Sequence, residues 1–131
     1  MAELAAKSST IEGILWHQGE SDCPDDRYAV YEEKLTIVLD TLRKRLNLCN
    51  IPLIVGELGE FLSENLIPYY QNYLYINEAT RHYAQKTALT ACVSSKGLTH
   101  NNDHLHFNSR SLYNLGLRYF DAFSDCRKSI K

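Results

Sequence analysis

Leu15-Trp16-His17-Gln18-Gly19-Glu20-Ser21-Asp22 is the stretch around which the rest of the chain is organised. It closes a short apolar run, 11–16, with a dense polar turn built on one glycine. An apolar run bounded in this way suits a buried strand whose carboxyl end carries functional side chains. Gly19 lets the backbone turn tightly or approach a ligand. The Gln18 amide is suited to donate to a developing oxyanion. Glu20 can orient its neighbours by accepting their hydrogen bonds. The same residues also fit a plain strand-to-helix loop capped by Ser21 or Asp22. Ser21 lacks the Gly-x-Ser-x-Gly surroundings of a nucleophile elbow and reads as a structural hydroxyl.

Outward from this turn, strands and helices alternate. Pro24-Asp25-Asp26 starts a helix, and Tyr28, Tyr31, Leu35, Val38, Leu42 and Leu46 recur at three- and four-residue spacing. That periodicity predicts an amphipathic helix of about six turns. A second buried strand spans 51–56, with Pro52 near its beginning where proline is tolerated. Tyr69, Tyr73, Ile76, Thr80 and Tyr83 mark a second helix, with Tyr69 and Tyr73 expected in the core. A third strand spans 89–93, where Cys92 reads as a small core residue. Asn108 or Ser109 caps a last helix carrying Leu112, Leu115, Tyr119 and Phe123. The alternation argues for an α/β fold with parallel strands near 11–16, 51–56 and 89–93 and helices packed on them. In such sheets the chemistry sits at the carboxyl ends of the strands.

The second informative block is Asp103-His104-Leu105-His106-Phe107. A histidine that takes a proton from a hydroxyl needs its other nitrogen held by an acceptor. Asp103, three residues before His106, is suited to that task from within one loop. Asp-x-x-His is a short pattern, and taken alone it is more often a polar loop leading to a helix cap. His100, His104 and His106 also raise a metal reading, but no helical His-x-x-x-His with a glutamate accompanies them, which makes it the minority reading. Gly56-Glu57-Leu58-Gly59 forms neither phosphate-binding pattern and reads as a wall of a cleft.

Composition excludes several classes. The chain has 131 residues, 44% hydrophobic and 23% charged, enough for one globular core. A formal net charge of -2 leaves no electrostatic footprint for nucleic acid. Arg43-Lys44-Arg45 reads as a solvated helix end facing the negative end of the helix dipole. No apolar stretch approaches a membrane span, so no membrane partner is expected. The four cysteines, at 23, 49, 92 and 126, include no Cys-x-x-Cys pair and suggest no zinc site. The stretch 1–7 lacks the apolar core of a signal peptide and reads as the last turns of a helix, a hint of truncation. The compartment stays open.

Leu15-Trp16-His17-Gln18-Gly19-Glu20-Ser21-Asp22 closely resembles the signature of the sialate O-acetylesterase and acetylxylan esterase group, carbohydrate esterases of the SGNH hydrolase superfamily. Pro52-Leu53-Ile54-Val55-Gly56-Glu57-Leu58-Gly59 is similar to that group's next strand and loop, where glutamine is frequent at the position of Glu57. Asp103-His104-Leu105-His106-Phe107 resembles its last block, usually with glycine where His104 stands. The resemblance runs from Ile11 to about Phe120.

It implies a three-layer, flavodoxin-like fold and removal of acetyl groups from sialic acid, xylan or related glycans. By resemblance, a serine from the first strand attacks the ester, His106 is the base, Asp103 orients it and Gln18 fills the oxyanion-hole place. His17, Gly19, Glu20 and Glu57 then support these groups or touch substrate. No metal or organic cofactor is implied, and the expected partner is an acetylated carbohydrate. One departure is large: only ten residues precede Ile11, and Ser8 and Ser9 do not match the family's serine block. Residues 1–131 are therefore expected to be a single, partial domain whose N-terminal strands are missing. Its uncovered sheet edge would meet a complementary N-terminal segment or a second copy. The alternative is an inactive carbohydrate- or partner-binding remnant of the family.

Overall fold

A computed structural model describes residues 2–130. Three parallel strands, β1 (Ile14–Trp16), β2 (Leu53–Gly56) and β3 (Thr90–Val93), form one sheet in the order β1-β2-β3. The helices are α1 (Ala2–Ala5), α2 (Tyr31–Arg45), α3 (Tyr73–Lys86) and α4 (Ser109–Lys128). Among the described residues, none of these is long and apolar enough to cross a membrane.

The side-chain alternation of β2 builds the layers. Leu53 and Val55 enter a core with Leu35 and Leu39 of α2 and Ile76 and Tyr83 of α3. Ile54 enters a second core with Leu115 and Tyr119 of α4. One strand thus feeds two opposite faces, as a pleated period of two requires. The product is an α/β/α sandwich with β2 wholly buried in its middle.

The strands are shorter than the apolar runs suggest. β1 begins at Ile14 rather than at 11, and β2 at Leu53 rather than at 51. Ile14 donates to the Pro52 carbonyl at 2.9 Å, but Pro52 has no N–H to return. The ladder stops there. β1 is also not buried as expected, since Leu15 is 62% exposed. Apolar content sets a strand's preference for burial, whereas the presence of a covering layer decides it.

The first helical pattern divides into a 3-10 turn, Arg27–Val30, and α2, which is 15 residues long. Val38, expected inward, is exposed, while Leu39 is buried. Arg43 is not solvated: it is 5% exposed. Its guanidinium donates to the carbonyls of Leu48, Cys49, Ile51 and Ala88 at 2.9–3.3 Å, and more loosely to the Thr90 hydroxyl. It thereby ties the end of α2 to the entries of β2 and β3. Arg43 sits four residues beyond Leu39, on the same inward face, so helix geometry carries the cation under the loop.

α3 begins at Tyr73, which is buried, whereas Tyr69 lies on the preceding 3-10 turn and is exposed. α4 is capped by Asn108, whose side-chain oxygen accepts from the Ser111 amide at 2.9 Å. Leu115 and Tyr119 face the core, but Leu112, expected with them, is exposed. All four cysteines are free. Burial pushes the Cys23 and Cys92 thiols up to about 11 and about 12, so they remain protonated packing groups.

Candidate active site

The polar turn after β1 is held from both layers of helices. Tyr119 of α4 donates to the Trp16 carbonyl at 2.7 Å, and Tyr31 of α2 donates to the Gln18 carbonyl at 2.8 Å. Burial raises both phenols, Tyr31 to about 12, so both remain donors at any ordinary pH. Helical spacing marks these tyrosines as core residues. What that spacing does not reveal is that their hydroxyls reach the carboxyl end of β1.

Gly19 is buried, with φ +150°. A β-carbon there would stand 2.5 Å from the Ile76 side chain, so the turn requires glycine both for conformation and for space. Gly19 then accepts from the Asp22 amide at 2.9 Å and opens a 3-10 turn, Glu20–Asp22. Glu20 is half-buried and contributes its carbonyl to the Cys23 amide. Ser21 is exposed. The Gln18 side-chain amide donates to Asp22 Oδ2 at 2.6 Å, which engages one of its two N–H groups and leaves the other.

Glu57 follows β2 and is 7% exposed. Its carboxylate pairs with Arg81 of α3 and accepts the Ser95 amide at 3.1 Å. Its carbonyl accepts from His17 Nε2 at 3.1 Å. Beside it, Asn77 grips Leu58 through both the amide and the carbonyl, at 2.7 and 3.0 Å. Glu57 and Asn77 thus fix the loop after β2, and neither Arg81 nor Asn77 was apparent as a site residue. The Gly56 backbone lies against the Tyr119 hydroxyl, where a β-carbon would overlap it.

The loop after β3 folds back on itself through a bridge between His100 and Phe107 and the Asn101 amide to the His106 carbonyl, 2.8 Å. Asp103 Oδ1 accepts the amides of Leu105 and His106, both at 2.9 Å. Asp103 Oδ2 is 2.7 Å from His106 Nδ1. The His106 amide, its ring and the Leu105 amide together hold the Asp103 carboxyl well below the usual carboxylate range. An ionised Asp103 only accepts, so Nδ1 carries a ring proton toward it and Nε2 is the nitrogen left outside the pair. The His106 side chain is 72% exposed. Phe107 packs edge-on to His17, with ring centroids 5.7 Å apart, so the blocks at 16–22 and 103–107 meet.

Where they meet, one side is open. A groove of about 600 Å³ runs between β1 and α4, lined by Leu15, His17, Phe107, Leu112, Tyr119 and Phe120 among others. Leu15, Leu112 and Phe120 are each more than half exposed there. β1 is an edge strand on this side.

The molecule is thus an α/β sandwich with a His–Asp pair and a polar turn in the loops that follow its parallel strands. The family model for carbohydrate esterases, sialic acid-specific acetylesterase, matches residues 1–125. The chain belongs to that family. It is 29% identical over 117 residues to the probable carbohydrate esterase At4g34215 of Arabidopsis thaliana, covering 86% of this chain. The crystal structure of the At4g34215 protein superposes with a TM-score of 0.75 at 25% identity, over 99% of this chain. The chain spans 40% of that relative's sequence and 49% of its solved chain.

Proposed function

We propose that residues 1–131 form one unit that supplies the base, its orienting acid and part of the oxyanion hole of a carbohydrate O-acetylesterase. The observation that carries this is the Asp103–His106 contact, 2.7 Å, which leaves Nε2 free on a largely exposed ring. His106 Nε2 takes the proton of an attacking hydroxyl while Asp103 stabilises the imidazolium. His106 then returns that proton to the departing sugar oxygen as the acyl–enzyme forms, and water releases acetate in a second round. The free N–H of Gln18 serves the oxyanion, with Gly19, Glu20, His17 and Glu57 shaping the turn that presents it. The nucleophilic serine comes from chain outside this one, seated along the free edge of β1. Supporting this, the apolar groove beside β1 opens next to His17 and Phe107, and the solved relative is about twice as long. The substrate class is an acetylated glycan, such as acetylated sialic acid or xylan.

The test is hydrolysis of p-nitrophenyl acetate and of acetylated sugars. The chain alone should show negligible turnover. Co-expression with an N-terminal half taken from a relative should give activity that His106→Ala abolishes. Robust turnover by the chain alone, lost in His106→Ala, would overturn the external serine and point to an internal nucleophile such as Ser21. Saturable sugar binding with no hydrolysis in either form would instead favour a binding remnant.

A further inference from the structure

The loop that carries Asp103 and His106 also contributes to a second cluster. His104 adopts φ +51°, a left-handed conformation disfavoured for a residue with a β-carbon. Its ring stacks on that of His100, with centroids 4.0 Å apart. His104 Nδ1 is shut off from solvent and makes no hydrogen bond. It lies 3.5 Å from Glu64 Oε2, and His100 Nε2 lies 4.0 Å from the same oxygen. Two imidazoles therefore converge on one carboxylate without either bonding to it. A single cation placed between them would be shared by all three groups.

We propose that Glu64, His100 and His104 form a binding site for one zinc-class divalent ion. A ligand atom from each residue lies within 4.8 Å of the others. Tetrahedral zinc, with ligands at about 2.0–2.1 Å, places them about 3.4 Å apart. Glu64 ends the 3-10 turn Glu60–Glu64 and its side chain is 64% exposed, so it is free to move inward. The histidines are better fixed: Asn65 donates to the His104 carbonyl at 3.0 Å, and the His100–Phe107 bridge holds the loop base. Two imidazole nitrogens and a carboxylate suit zinc and its first-row neighbours, whereas magnesium and calcium take oxygen ligands. Ligation through His100 Nε2 moves that ring's proton to Nδ1 and gives up the long 3.3 Å contact from the His104 amide. The remaining position is left to water. A bound ion clamps the 60–64 turn to the 100–107 loop, which also carries His106. The three imidazoles close in sequence are thus separated by the fold: His106 turns to Asp103, and Glu64 takes the third place.

Calorimetric titration of untagged chain with zinc chloride, in a non-chelating buffer, tests this. The expected result is one equivalent bound, with no competition from magnesium. His104→Gly, which also relieves the backbone conformation, and Glu64→Gln should each weaken binding by more than about tenfold. His106→Ala should leave it unchanged. No binding, binding retained in His104→Gly, or binding lost in His106→Ala would each overturn the proposal. None of these outcomes depends on esterase activity, so the site stands or falls apart from the proposed reaction.

Discussion

His106 can act as a base only while its ring proton sits on the nitrogen that faces Asp103. Asp103 enforces this because an ionised carboxylate accepts and never donates, and three hydrogen bonds from residues 105 and 106 keep it ionised. Asparagine in its place would still accept the two backbone amides through its oxygen, turning its NH2 toward the ring. That would favour the opposite tautomer and occupy the wrong nitrogen. In the completed esterase, Asp103→Asn is therefore expected to lower kcat by roughly 10³–10⁴ with little change in KM or melting temperature. A steady-state comparison with wild type checks it, and a KM effect without a kcat effect would contradict the assigned role. The Asp-x-x-His spacing was legible in the sequence. What it could not tell was whether the turn closes onto its own carboxylate, which depends on the bridge from His100 to Phe107.

At the scale of elements, burial overrides the local pattern at Arg43. Charge periodicity places it on a solvated helix end, but the loops entering β2 and β3 close over it. No carboxylate pairs with it among the described residues. Its main partners are four backbone carbonyl oxygens, and a planar guanidinium reaches several at once. Arg43→Met leaves these oxygens without the cation and is expected to cost roughly 2–4 kcal/mol. Thermal denaturation should show a fall on the order of 10 °C, only partly recovered by Arg43→Lys. The β1 turn shows the converse. Its residue types announce a functional loop, and the reason it holds its shape is donated by Tyr31 and Tyr119, from helices on opposite faces of the sheet.

On the scale of the whole molecule, one face is left uncovered. β1 offers an unpaired edge, and Leu15, Leu112 and Phe120 stand exposed beside it. Apolar surface next to a free strand edge favours association. The chain by itself is expected to self-associate at micromolar concentration, and Leu15→Lys together with Phe120→Ser should shift it toward monomer. Sedimentation velocity measures both. A wild-type chain that stays monomeric at high concentration would show that this face needs no partner. The two edges of the sheet differ here: β3 also ends the sheet, but the groove adjoins β1 alone.

By itself, the sequence determined the element order, the α/β class, the family and the two blocks to which the proposed chemistry is assigned. These depend on short-range physics: periodicity, glycine and proline conformations, and residue types clustered in one turn. Tertiary structure decided which apolar residues are buried, where each strand begins, and what each polar group bonds to. Leu15 and Ile54 are equally apolar and stand side by side in register on β1 and β2. Ile54 is covered by α4, whereas Leu15, at the edge, is left open. Arg43 and Glu57 likewise reach Ala88 and Arg81, in segments distant in the chain. Those partners exist only once the sheet has brought the loops together.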